Sequence, residues 1–246
     1  MIDLKHVTKR YGQFVAVQDL DLHVPDGQIF AFLGPNGAGK TTTIKMLCGL
    51  LFPTEGTVAV GGYDLREQGD DARKLISYVP DQPFLYEKLT GREFLQFTCD
   101  LYGIAPEHAR EQMARVIELF HLNTFVDDLT ERYSHGMRQR TVFAAALVHE
   151  PQLLIADEPT VGLDPKSIRE LKVLLRDLAR TGVTIFLSTH TLDIAQELAD
   201  RIGIIDHGRL LFQGNLDELK KQAERDGSLE DLFMKITEEA ATAIAK

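Results

Sequence analysis

Eight residues constrain this chain more than any others: Gly34, Pro35, Asn36, Gly37, Ala38, Gly39, Lys40 and Thr41. They match G-x-x-x-x-G-K-[ST] without a mismatch. The apolar run "QIFAFLG" before them reads as a buried strand, and a helical run starts at Lys40. Strand, loop and helix together are the context in which this motif binds phosphate. Glycines let the backbone curl until successive N–H groups point inward at phosphate oxygens. The helix N-terminus adds about half a positive charge. Lys40 brings a full charge to the outer phosphates, and Thr41 offers its hydroxyl to Mg²⁺. The expected nucleotide-binding set is therefore Gly34 through Thr41, with Thr42 behind it.

A second site follows another strand. "LLIADEPT" puts Asp157 and Glu158 at the end of an apolar run. In open α/β sheets, ligands bind at the carboxyl ends of the strands. Asp157 is placed to hold Mg²⁺, and Glu158 to take a proton from an attacking water. An acidic pair after a strand can also be a plain capped turn; the phosphate loop in the same chain favours the catalytic reading. His190, in "STHT" after the buried run "VTIFLST", is expected to reach the terminal phosphate. Hydrolysis of that phosphate needs positioning and charge neutralisation more than covalent chemistry.

The remaining pattern alternates strand and helix. Ile2 and Leu4, then Val15, Val17, Leu20, Leu22 and Val24 around a shift, read as strands before a Pro25–Gly27 turn. "GTVAVGG" and "LISYVP" read as further short strands. From Phe84 to Glu150 the character is helical. Thr90 and Glu93 form a capping box, Pro106 opens a second helix, and a third is expected to follow Gly136. Asp164–Pro165 caps a helix whose Ile168, Leu171, Leu174, Leu175 and Leu178 share one face. "RIGIIDHGRLLFQG" reads as a hairpin turning at His207–Gly208, and Ser228 can cap a last helix from Leu229. This implies an α/β fold with a mainly parallel sheet and an antiparallel edge made by the N-terminal strands and the hairpin. The expected division is a core of 1–83 and 151–214, a helical insert of 84–150 and a helical tail of 215–246.

Composition narrows the function. With 27 Lys and Arg against 37 Asp and Glu, the formal charge is −10, the reverse of the basic excess a nucleic-acid binder carries. No run reaches the ~18 apolar residues of a membrane span, and no signal peptide is visible. Cys48 and Cys99 lack paired spacing and are expected to be reduced core thiols. The expected location is cytoplasmic.

In order along the chain stand the phosphate loop, the helical insert, "YSHGMRQR", "LLIADEPT", "VGLD" and "STH". As an ordered set they resemble the ATP-binding subunit of ABC transporters over nearly the full length, with a P-loop NTPase core. The resemblance implies that Tyr11 stacks on adenine, with Val17 beside it. It implies that Asp164 lies in a loop crossing between two subunits. "YSHGMRQR" matches the stretch usually written LSGGQ, with Ser134 and Gly136 on its serine and second glycine. Tyr133, His135 and Met137 replace its leucine, first glycine and glutamine. Ser134, His135 and Gly136 are thereby expected to act on ATP held by a second nucleotide-binding subunit, the same chain or a different one. A glutamine that meets metal and water in this family aligns at Asp81, with Gln82 one residue later; either can fill that place. ATP and Mg²⁺ are the implied ligands. Separate transmembrane permease subunits are the implied partners, holding the protein at the inner face of the cell membrane, with no nucleic acid. The replaced positions and the closing "SLEDLFMKIT" resemble bacterial exporter-type members. Relatives acting on ribosomes usually carry two cassettes, and those acting on DNA carry a long coiled coil; neither is present. A guanine-reading N-K-x-D is absent too.

Overall fold

The computed structural model describes residues 1–226. The helix expected from Leu229, with Ser228 as its cap, lies outside them. The central sheet runs through β3 (Ile29–Leu33), β6 (Ile76–Val79), β7 (Leu153–Asp157), β8 (Thr184–Thr189), β9 (Arg201–Asp206) and β10 (Arg209–Gly214). Its spatial order is β10-β9-β3-β8-β7-β6. Every pairing is parallel except β9 with β10, the hairpin edge.

Side chains on these strands alternate between two buried faces, as a pleat with period two demands. Phe30, Phe32, Leu153, Ile155 and Phe186 enter one core; Leu154, Ala156, Ile185 and Leu187 enter the other. Each fully buried Phe or Leu contributes about 2 kcal/mol on an area basis. Phe30 stacks on Phe186 with ring centroids 5.6 Å apart, which locks β3 beside β8.

The N-terminal strands differ from the expected edge. β1 (Ile2–Tyr11), β2 (Phe14–Val24), β4 (Glu55–Val60) and the short β5 (Tyr63–Asp64) form an antiparallel sheet of their own, ordered β2-β1-β4-β5. The reason is the apolar face of β1 and β2. Ile2, Leu4, Val17, Leu20 and Leu22 pack over helix α1 (Lys40–Leu47), against Ile44 and Leu47, and onto the two phenylalanines of β3. Extending the central sheet instead would leave that face in water. The shift read between Val17 and Leu20 is real: β1 and β2 change register there, and Asp19 sits at φ +47°.

Helix α2 (Gly69–Leu75) was not foreseen; it buries only Ala72, so no helical period shows. On the opposite face of the sheet, α3 (Gly91–Leu101), α4 (Pro106–Leu119) and α5 (His135–Leu147) pack through Leu95, Cys99, Met113, Val116 and Phe143. Thr90 accepts from the Glu93 N–H while the Glu93 side chain accepts from the Thr90 N–H, the reciprocal box expected. Helix α5 begins at His135, not after Gly136, because Ser134 caps it. The remaining α-helices of the described residues are α6 (Pro165–Arg180), α7 (Leu192–Leu198) and α8 (Leu216–Asp226). Among the described residues no helix is long and apolar enough to cross a membrane.

Candidate nucleotide site

Four parallel strands deliver functional residues at their carboxyl ends. β3 runs into Gly34, β6 leads to Asp81, β7 ends at Asp157 and β8 leads to His190. Between them lies a cavity of about 330 Å³, walled by residues of the loop from Pro35 to Thr42 and by Phe14, Ala16, Asp81, Asp157 and Glu158.

The loop is shaped by two glycines in particular. Gly39 caps α1 at φ +108°, and a Cβ there would stand 2.7 Å from the Ala16 carbonyl. A Cβ on Gly34 would stand 2.2 Å from the Ile205 carbonyl. The Gly208 N–H donates to the Ala38 carbonyl at 2.9 Å, so the predicted hairpin turn braces the loop from outside. Lys40 is only 6% exposed; its Nζ donates to the Gly34 carbonyl at 2.6 Å and to the Pro35 carbonyl at 3.2 Å.

Asp157 is buried. The Ser188 hydroxyl donates to its Oδ1, and the Thr41 hydroxyl reaches Oδ2 at a long 3.5 Å. Burial pushes the Asp157 carboxyl above the ordinary aspartate range; the Ser188 hydrogen bond and Lys40 pull the other way, while Asp81 and Glu158 add to the rise. A carboxylate so placed gains from a nearby cation. Glu158 sits at φ +47°. Its backbone N–H reaches the Ser188 Oγ at 3.2 Å, which holds this left-handed turn in place. Its Oε1 lies 3.6 Å from Lys40 Nζ and 2.9 Å from His190 Nδ1. Oε1 and Oε2 are both buried with no hydrogen-bond partner among the described residues, so the Lys40 and His190 contacts are ionic proximities only. An orphaned carboxylate oxygen on the cavity wall, beside a buried lysine, fits a site that takes in a polyphosphate with a divalent cation and water.

The predicted residues are not all brought together here. Tyr11 and Val17 are off the cavity wall. Tyr11 is exposed, with the Lys9 ammonium 5.4 Å over its ring; Val17 is buried beneath Gly39. Phe14, the β-partner of Tyr11 across the hairpin, stands on the wall instead. Of Asp81 and Gln82, Asp81 lines the cavity, and its Oδ1 accepts the Gln82 N–H at 2.8 Å. Ser134, His135, Gly136 and Asp164 do not line it. Ser134 is exposed at the start of α5, where its Oγ accepts the Met137 N–H at 3.3 Å. Nothing lies within 4 Å of where a Cβ on Gly136 would be, so its backbone is open to close approach. Asp164 caps α6 by accepting from Lys166 and Ser167 N–H.

Ser188 and Phe14 belong to the site without having been expected there. The signal for Ser188 was present in "STH", because a residue two before His190 on a strand lies beside the last residue of its parallel neighbour; Ser188 pairs with Asp157. Phe14 carried no comparable signal. Both cysteines are free and buried, and burial pushes the Cys48 thiol up to about 12.

The phosphate loop, the acid pair and the parallel sheet together define a P-loop nucleotide-binding protein. Residues 17–161 match the family described as ABC transporter, and the chain belongs to that family. It is 40% identical over 226 residues to the probable multidrug ABC transporter ATP-binding protein YbhF of Escherichia coli (strain K12), covering 92% of this chain and 39% of that one. It is 44% identical over 219 residues to the daunorubicin/doxorubicin resistance ATP-binding protein DrrA of Streptomyces peucetius, covering 89% of this chain and 66% of that one. The chain thus spans about two fifths of YbhF. Among solved structures, an ATP-binding subunit of an ABC transporter superposes with a TM-score of 0.89 at 32% identity, covering 96% of this chain and 99% of that one. The dimeric ATP-binding cassette MJ0796, in a post-hydrolysis state bound to ADP and Pi, gives 0.80 at 27% identity, covering 88% and 99%.

Proposed function

We propose that the chain binds and hydrolyses ATP as the energising subunit of a membrane exporter, pairing with a second nucleotide-binding subunit around two ATP. The observation that carries this reading is Glu158: a carboxylate on the wall of the phosphate cavity, both oxygens buried without a hydrogen-bond partner, in contact with Lys40 and His190. The loop amides and Lys40 hold the phosphates. To do so, Lys40 exchanges its bonds to Gly34 and Pro35 for phosphate oxygens. Thr41, Asp157 and Asp81 would hold Mg²⁺, which neutralises phosphate charge when bound. The Glu158 carboxylate accepts a proton from the attacking water, and the charge of His190, 2.9 Å from Oε1, helps to orient it.

In the same reading, Ser134, Gly136 and the N-terminus of α5 meet the ATP of the second subunit, with Asp164 crossing beside it. That ATP would lie at a helix end built for anions. Residues 84–150 form a helical subdomain that docks on separate permease subunits at the inner face of the membrane. An exposed aromatic group there supports docking. Phe84, Tyr86 and Phe97 stack edge to face at 5.5–5.6 Å, and Leu101 stands exposed on the same block. The names of the relatives, multidrug and drug resistance, favour export. Affinity capture from detergent-solubilised cells should recover a multi-span membrane protein; ribosomes or DNA in its place would overturn the transporter reading.

A further inference from the structure

Gln139 is 4% exposed, yet its Oε1 has no partner among the described residues. It stands on the wall of an apolar cavity of about 430 Å³ with Phe143, Leu163, Leu171 and Leu174. A methionine would fill the same space without burying an unpaired acceptor. What the amide provides is its donor. Gln139 Nε2 donates to the Pro159 carbonyl at 3.1 Å, one residue beyond Glu158. The proline ring locks φ of residue 159, so holding its carbonyl fixes the remaining backbone freedom just after the left-handed Glu158.

A second side chain acts on the same loop. The His135 ring lies against Gly162, where an added Cβ would come within 3.0 Å of His135 Nε2. His135 and Gln139 are four residues apart on α5 and so share one face. That face begins immediately after Ser134, the cap of the helix.

We propose that Gln139 is a positioning residue, assisted by His135, that joins the start of α5 to the loop carrying Glu158, so that nucleotide in the protomer's own cavity resets the Ser134 end of the helix. The inference rests on the ATP-binding reading above. It also gives His135 a role on its own protomer.

Hydrogen exchange of the full chain tests it, at dilution where it is monomeric, with and without a non-hydrolysable ATP analogue and Mg²⁺. In the wild type, the analogue should protect the phosphate loop and change exchange of the α5 amides 137–141 by about fivefold, the weight of one hydrogen bond. In Gln139→Met the phosphate loop should still be protected and the α5 response should vanish. Gln139→Glu, which turns the donor into an acceptor, should lose it too. An α5 response preserved in both variants overturns the proposal. So does faster α5 exchange with the nucleotide response intact, the mark of a merely structural role. A wild type whose phosphate loop is protected while α5 does not respond overturns it without any variant. A wild-type phosphate loop left unprotected would overturn the ATP-binding reading itself, and this inference with it.

Discussion

The buried pair of Lys40 and Glu158 can be weighed directly. Nζ and Oε1 are 3.6 Å apart, with side chains 6% and 14% exposed. At an effective dielectric of about 20 the gross attraction is about 5 kcal/mol. Desolvation of both groups offsets much of it, leaving a net coupling of about 1–3 kcal/mol. Four proteins measure this term: wild type, Lys40→Met, Glu158→Gln and the double variant, unfolded in urea without nucleotide or Mg²⁺. Lys40→Met also loses the bonds to Gly34 and Pro35, but it does so in both backgrounds, and that loss cancels in the cycle. Lys40→Met should be the most destabilising single change, because it strands Glu158 beside the buried Asp157. Adding Glu158→Gln should restore about 2 kcal/mol, or about 4–8 °C in Tm. Because the pair is buried, the coupling should survive about 0.5 M salt. A coupling under about 0.5 kcal/mol would refute the view that Lys40 holds the acid pair before nucleotide arrives.

Four further outcomes follow from the same geometry. Ser188→Ala removes a hydrogen bond that lowers the Asp157 pKa, which burial already holds high. Protons then compete with Mg²⁺ at higher pH, so the acid limb of the ATPase pH profile should move upward and Mg²⁺ should bind about 10–100-fold more weakly; an unmoved limb would exclude Ser188. With its folded pKa raised, ionised Asp157 lowers nucleotide-free stability; that penalty is full above the folded pKa, shrinks as pH falls through it and is gone below the ordinary aspartate value, which Tm against pH will read. Gly39→Ala forces a Cβ to φ +108° and to 2.7 Å from the Ala16 carbonyl, so it should cost at least about 1–3 kcal/mol and abolish nucleotide binding measured by calorimetry. His190→Ala should leave ATP affinity unchanged and cut kcat by about 100-fold, read in single-turnover assays; a change in affinity alone would remove it from the chemistry.

Much of the site was legible because its parts are local. The phosphate loop, the acid pair and His190 each follow a buried strand, and one short stretch of chain carries all the information for each. What was not legible is pairing between distant segments. The N-terminal strands carry the alternation of an antiparallel sheet, but nothing in them says whether they join the central sheet or cover α1. Phe14 reaches the cavity only because the β1–β2 hairpin places it there, and Tyr11, three residues earlier, points elsewhere. The orphaned oxygens of Glu158 and Gln139 exist only in three dimensions. Helix α2 buries a single alanine and leaves no period to read.

In the proposed cycle this chain closes a dimer around ATP and opens it by hydrolysis. Light scattering of Glu158→Gln tests this most directly, with Mg-ATP and without, alongside Glu158→Gln combined with Ser134→Arg. Glu158→Gln should bind ATP, fail to turn it over and double in mass with one ATP per protomer, and the Ser134→Arg combination should bind ATP and stay monomeric. Wild-type turnover in Glu158→Gln, or a dimer indifferent to Ser134→Arg, would rule this cycle out.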